Sequence, residues 1–340
     1  MNGDTASPSG RRRIVGLAAL GLALAAPSAT GAEAQAPDSA MAPSAHGAAA
    51  HDPHVLDVQE GVDFRVYDVA GAPSSLDAIL DAATAGEVLL IGEAHDDMVG
   101  HAVELRLLGG AFGRLASGGA EPGRPLILSL EMFERDVQYV LDEYLDGLVS
   151  EEHLVAGARP WGNYVVAYRP MVEFAKAHEL RVVAANAPRR YASRVTAEGP
   201  EALFALSPLA RSFLPPLPYP GPSEPYRAEW HRLMTSDTTE SHGHAVSDNA
   251  IQAQALWDAA MAHAISGALV HDIGALVVHV AGAFHVARGT GIPERIVDYR
   301  PGTRLTTVVM TEAEDIDAWI ESEHGGLADF VVLTATKARR

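Results

Sequence analysis

The sequence predicts an α/β protein with a mainly parallel central sheet flanked by helices and an inserted or appended helical subdomain. Three observations predict it. The 340 residues are 48% hydrophobic, enough to bury a large core. Short apolar runs alternate with amphipathic stretches, the order expected of parallel strands joined by helices. Polar residues able to bind or catalyse fall directly after those runs, where open α/β sheets place their ligand sites.

At the N-terminus, Arg11, Arg12 and Arg13 precede the apolar run Ile14–Ala26, and small residues lead to Ala34. This layout reads as a signal peptide over residues 1–34, too short to span a bilayer. The arginine run also fits a twin-arginine leader. Residues 35–55 are rich in Ala, Pro, Ser and His and read as a disordered linker, followed by the α/β domain at 56–336.

The strand candidates are Val88–Ile91, Pro125–Leu130, Arg181–Ala185, Ala275–Ala281 and Leu305–Met310. Phe330–Leu333 reads as an added edge strand and Val62–Val69 as an alternating one. Helices are expected at Leu76–Ala85, Val99–Ala116, Asp136–Leu145, Met171–His178, Asn249–Ala264 and Glu314–Glu323, the third ending in an Asp146-Gly147 cap. Prolines and glycines between Pro200 and Pro225 exclude a regular core element there and lead into a helical subdomain at about 200–270.

Charge and composition exclude several functions. The net charge is -19, so nucleic acid and anionic membranes are poor partners. Without cysteine there is no lipid anchor on an N-terminal cysteine, no disulfide and no thiol nucleophile. The expected location is periplasmic or secreted, and not as a lipoprotein.

Convergence of the strand ends predicts a site of Glu93, His95, Glu131, Arg189 and His285. Two carboxylates, two imidazoles and a guanidinium suit metal ligation or general acid/base work. The plainer readings are a helix cap for Glu93, a satisfied polar group for His95 and a solvated pair for Arg189 and Arg190. Glu131 directly follows an apolar strand and must find a partner. His279, in mid-strand, reads as a core histidine. Trp161, Tyr164 and Tyr168 recur at helical spacing, as core packing or as the wall of a flat apolar slot. His242 and His244 precede a long amphipathic helix.

Leu90-Ile-Gly-Glu-Ala-His95-Asp96, Leu130-Glu-Met-Phe133, Trp161-Gly-Asn-Tyr164, Ala185-Asn-Ala-Pro-Arg189, Ala253-Gln-Ala-Leu-Trp-Asp258-Ala-Ala-Met261 and Gly282-Ala-Phe-His285 together resemble the ChaN-like haem-binding family. The resemblance covers about residues 60–312 and places the chain in the wider Tiki and erythromycin-esterase-like superfamily. It implies a haem-binding protein of bacterial iron or haem uptake, with haem as cofactor and a homodimer and envelope uptake components as partners. Its superfamily pattern falls on Glu93, His95, Glu131, Arg189 and His285. Tyr164, Tyr168, His242 and His244 are the candidate haem ligands. The alternative is a hydrolase of the same superfamily that activates water through a divalent metal or through Glu and His alone; no Gly-x-Ser-x-Gly motif is present.

Overall fold

The computed structural model describes residues 55–117, 123–236 and 247–336. The expected signal peptide, most of the linker, and His242 and His244 lie outside the described residues. The fold is the expected one: a seven-stranded sheet, parallel except at one edge, with helices on both faces.

The strands are β1 (Phe64–Asp68), β2 (Val88–Glu93), β3 (Leu126–Glu134), β4 (Arg181–Asn186), β5 (Leu276–Gly282), β6 (Leu305–Ala313) and β7 (Phe330–Ala335), in the spatial order β1-β7-β6-β2-β5-β3-β4. Only β1 runs antiparallel, against β7. Phe330–Leu333, expected at an edge, is therefore an inner strand covered by β1. Strands β2 and β5 are wholly buried because both of their faces carry Val, Leu or Ile, the pattern of a sheet clad on two sides. Each such side chain contributes about 1.5–3 kcal/mol on burial, so the centre of the sheet is its most strongly held part.

The helices are α1 (Leu76–Ala85), α2 (Met98–Ser117), α3 (Gln138–Leu145), α4 (Glu151–Ala158), α5 (Tyr164–Ala167), α6 (Arg169–Ala177), α7 (Arg189–Glu198), α8 (Pro208–Ser212), α9 (Glu224–Ser236), α10 (Asp248–His271), α11 (Ile292–Tyr299) and α12 (Glu321–His324). On one face, Leu89 and Ile91 of β2 join Leu276, Val278 and Val280 of β5 in the core under α1–α6. On the other, Val88, Leu90, Val277 and Ala281 pack on α10 and α11. The described part of 200–270 is mostly helical, and α10 lies across β4 and β5. The Asp146-Gly147 cap forms as expected: Gly147 has φ +72° and donates to Tyr144 O at 3.0 Å, while Leu148 donates to Glu143 O at 2.9 Å.

The helix expected at Glu314–Glu323 is absent, and only the short α12 forms at its end. β6 continues to Ala313, and the Asp315 carboxylate then accepts from Asp317 N at 3.0 Å, turning the backbone away from a helix. The Tyr67 hydroxyl fixes the turn by donating to Ile316 O at 2.8 Å.

Candidate functional site

Four of the five predicted site residues meet at the carboxyl ends of the central strands. Glu93 is the last residue of β2, and His95 follows in the turn to α2. Glu131 stands where the regular β3–β4 register ends at Leu130–Ala184, a bulge that releases it from the ladder. His285 closes a 3-10 turn directly after β5. Because β2, β5 and β3 are neighbours in the sheet, their ends lie side by side.

Arg189 is not brought to this group. It opens α7, whose buried stripe is Tyr191, Ala192 and Val195, and it falls outside that stripe and stays exposed. Arg190, its neighbour, ion-pairs with Asp136 at 2.6 Å.

Glu93 Oε1 lies 2.7 Å from His95 Nδ1 and accepts from the Tyr168 hydroxyl at 2.7 Å. Its other oxygen is 3.1 Å from His101 Nδ1, which also faces Glu104 at 3.2 Å. Burial alone would raise the Glu93 carboxyl, but its bonds to His101 and His95 outweigh burial and hold it well below the usual carboxylate range. Burial opposes a charge on His101, yet Glu104 and Glu93 push the imidazole up to about 11. Burial and the Glu93 charge raise Glu104. His95 is raised in the same way: Glu93 and Glu131 outweigh desolvation. Glu93 does not cap α2; Asp97 does, accepting from Val99 N at 3.0 Å.

The other half mirrors this arrangement. His285 Nδ1 is 2.7 Å from Asp258 Oδ1, and the Tyr226 hydroxyl donates to Asp258 Oδ2 at 2.5 Å. His285 Nε2 turns to Glu131, 3.7 Å away, and Glu131 also accepts from Gly282 N at 2.8 Å. Desolvation is outweighed by Asp258 and Glu131, so His285 rises to about 9. His95 reaches the same place: a Cβ on Gly282 would lie 3.1 Å from His95 Nε2 and 3.8 Å from Glu131 Oε2. Only glycine lets the imidazole approach Glu131 here.

Each histidine thus has Nδ1 held by a carboxylate; His285 Nε2 faces Glu131, and His95 Nε2 lies against Gly282 close enough to Glu131 to feel its charge. This is the way proteins orient imidazoles for metal ligation or proton transfer. An overlapping buried group, Glu93, His101 and Glu104, shares Glu93 with this site and has one donor atom from each residue within 4.8 Å of the others. Its charge is already matched by the His101 imidazolium, so a divalent cation would have to displace that proton. His279 is the core histidine expected: fully buried, 2.9 Å from Ser129 Oγ, and pushed down to about 3 by burial and then by His285.

Tyr164 and Tyr168 are both interior. The Tyr168 hydroxyl is engaged by Glu93, and the Tyr164 hydroxyl is enclosed without a partner. Burial, then the charges of Glu151 and Glu173, raise Tyr164, which keeps it a neutral phenol. Sequence reasoning missed Asp258, Tyr226, His101 and Glu104. The available signal was an acid in the middle of the Ala-rich apolar stretch of a long helix, as at Asp258, and a His-Glu pair three residues apart, as at His101 and Glu104.

Among the described residues no helix is long and apolar enough to cross a membrane. The fold resembles the solved structure described as cofacial heme binding to ChaN of Campylobacter jejuni, with a TM-score of 0.59 and 17% identity over 82% of this chain and 99% of that one. An erythromycin esterase, EreC, aligns with a TM-score of 0.41 and 9% identity over 80% of this chain and 83% of that one. In sequence, the chain is 26% identical over 312 residues to Protein RETICULATA-RELATED 5, chloroplastic, of Arabidopsis thaliana, covering 83% of this chain but 39% of that protein's length. The family model described as "Haem-binding uptake, Tiki superfamily, ChaN" matches residues 79–296, a span that holds Glu93, His95, Glu131, Asp258 and His285. The chain belongs to the ChaN haem-binding family of the Tiki superfamily.

Proposed function

We propose that this chain is an exported haem-binding protein that serves haem or iron uptake. The observation that carries the reading is the haem-binding family match across residues 79–296. Export is supported by the three arginines ahead of the apolar run at 14–26, and it would place the protein in the periplasm or outside the cell. A homodimer and envelope uptake components are the partners this role calls for.

Haem brings an iron centre and a flat apolar ring carrying carboxylates, and it needs a slot. The strand-end side chains hold one another at 2.7 Å contacts, so the ring would not lie between them. Haem would therefore lie beside this cluster, against a wall that offers an unsatisfied donor. Titrating the full chain with ferric haem should give a saturable shift of the Soret band; an unchanged haem spectrum sinks the reading.

A second reading is favoured by one feature, the paired Nε2 atoms of His95 and His285 around Glu131. In it the cluster is a water-activating hydrolytic site, with a divalent cation or with Glu and His alone. Glu131 would take the proton from water, and the two imidazoles, held protonated by the carboxylates at their Nδ1 atoms, would orient that water and give a proton to the leaving group. Glu93→Gln should then abolish turnover on an ester or peptide substrate while the far-UV circular dichroism stays unchanged. Retained turnover would remove Glu93 from that mechanism.

A further inference from the structure

His101 and Glu104 stand one turn apart on α2 and face Glu93 at the end of β2. The side chains of Glu93, His101 and Glu104 are 1%, 4% and 0% exposed, so the charges gathered here must be balanced from within. Among the described residues neither carboxylate meets a lysine or an arginine. Glu104 has His101 as its only ionic partner there.

One imidazole proton cannot serve both acids. His101 Nε2 donates to the His95 carbonyl at 3.0 Å, so Nδ1 is the ring atom left for the two carboxylates. It hydrogen-bonds Glu104 Oε2 at 3.2 Å and lies 3.1 Å from Glu93 Oε2 without aligning on it. Glu93 Oε2 and Glu104 Oε1 are both enclosed with no hydrogen-bond partner. Buried carboxylate oxygens are paired as a rule, and two orphans facing one imidazole point to an occupant that reaches them all.

The outer atoms of the group are tied back as they are around metals. Glu93 Oε1 is 2.7 Å from His95 Nδ1 and accepts from the Tyr168 hydroxyl at 2.7 Å, which leaves Oε2 for His101. The bond from His101 Nε2 to a backbone carbonyl fixes the tautomer whose Nδ1 carries the lone pair, the usual arrangement of a metal-ligating histidine. One donor atom from each residue lies within 4.8 Å of the other two.

We propose that Glu93 Oε2, His101 Nδ1 and Glu104 form a site for a divalent first-row transition metal, the second oxygen of Glu104 completing the donor set. Two carboxylates neutralise the ion, and the Nδ1 proton leaves as it enters. An imidazole with carboxylates suits Zn²⁺ or Mn²⁺, whereas Ca²⁺ and Mg²⁺ take about six or more ligands, for which three enclosed side chains are too few. Because the site is closed, the ion ties α2 to β2 behind His95 and does not meet a substrate. This site is independent of the haem reading and differs from any ion held among His95, Glu131 and His285.

The test loads the full chain with Co²⁺ during expression, strips loose metal with a chelator, and reads metal content and paramagnetically shifted proton resonances. The unmodified protein should retain about one Co²⁺ per chain and show a single far-shifted exchangeable proton, the Nε2–H of His101. Glu104→Gln should retain at least about tenfold less Co²⁺, and Tyr168→Phe should bind it about 10–100-fold more weakly, while Glu131→Gln keeps it. Circular dichroism checks that each variant folds, and the resonance count needs no variant. Two far-shifted exchangeable protons, or Co²⁺ lost in Glu131→Gln and kept in folded Glu104→Gln, would place the ion between His95 and His285 and overturn the proposal. A chain that retains no Co²⁺ overturns it as well, and in every case the haem titration stands or falls separately.

Discussion

Two tyrosine–carboxylate–histidine relays meet at Glu131, and they are built in opposite ways. In one, Tyr168 bonds Glu93, and Glu93 holds a histidine only two residues away in the same strand-to-helix turn. In the other, Tyr226 of α9 bonds Asp258 of α10, which holds His285 beyond β5. The first relay also contains a spare imidazole and a spare acid, His101 and Glu104. The second has no such reserve: if Asp258 is lost, His285 retains only Glu131 at 3.7 Å. The same chemistry is therefore redundant on the α2 side and singular on the α10 side.

That difference predicts an asymmetry in stability. Asp258→Ala leaves a buried imidazole and a buried phenol without their partner, and should cost about 3–5 kcal/mol in chemical denaturation. Glu93→Gln leaves the His101–Glu104 pair intact, and the amide still offers an acceptor, so it should cost about 1–3 kcal/mol. Equal losses would show that the extra pair around Glu93 gives no reserve.

The tyrosines sharpen the comparison, because their roles in the two relays are the same. Tyr168→Phe and Tyr226→Phe each remove one hydrogen bond to a buried carboxylate, and each should cost about 1.5–3 kcal/mol. A gap of more than about 1 kcal/mol between them, measured by denaturant midpoint at a constant slope, would mean that one relay is not a relay.

Gly282 tests where the two relays meet. A Cβ there would sit 2.9 Å from His95 Cε1, and side chain or backbone must shift. Gly282→Ala should cost about 1–3 kcal/mol as overpacking and should displace His95 while leaving the Asp258–His285 contact in place. Histidine NMR resonances would read this directly: the His95 signals move and those of His285 stay. Movement of both would mean that the halves are mechanically coupled through Glu131.

How much of this was legible in the sequence follows from the same contrast. Strands β2 to β5 announce themselves because they are buried on both faces over most of their length and so appear as short, mainly apolar runs, and β6 does so over Val308–Met310. Glu93 and His95 are legible because they adjoin each other and follow such a run. Asp258 and Tyr226 are not, since their partners lie 27 and 32 residues away and are brought in only by tertiary packing. Arg189 looked convergent because it follows β4, but the helical phase of α7 turned it outward. Glu314–Glu323 had helical composition, yet Asp315 turned the chain before a helix could start. The fold was written in local patterns, and half of the site was written in contacts that only the fold creates.

The pH dependence of stability separates the relays most finely. The folded pKa of His285 is about 9, against about 6.5 for an unfolded histidine. Between those values the native state holds a proton that the unfolded chain has released, so stability must fall as pH rises. Its contribution is fully present below about pH 6.5 and gone above about pH 9, with a slope of at most about 1.4 kcal/mol per pH unit from this one group. His101, raised to about 11, gives the same sign over a longer range, so its loss continues beyond the point where that of His285 is complete. Asp258→Asn removes the charge chiefly responsible for raising His285, leaving only Glu131 to support it. Denaturation curves at pH 6.5, 7.5 and 8.5 should therefore show a shallower decline in this variant than in the unmodified protein. Parallel declines would mean that His285 is not protonated in the native state, and the Asp258 contact would then be a neutral hydrogen bond that orients Nε2 without charging it.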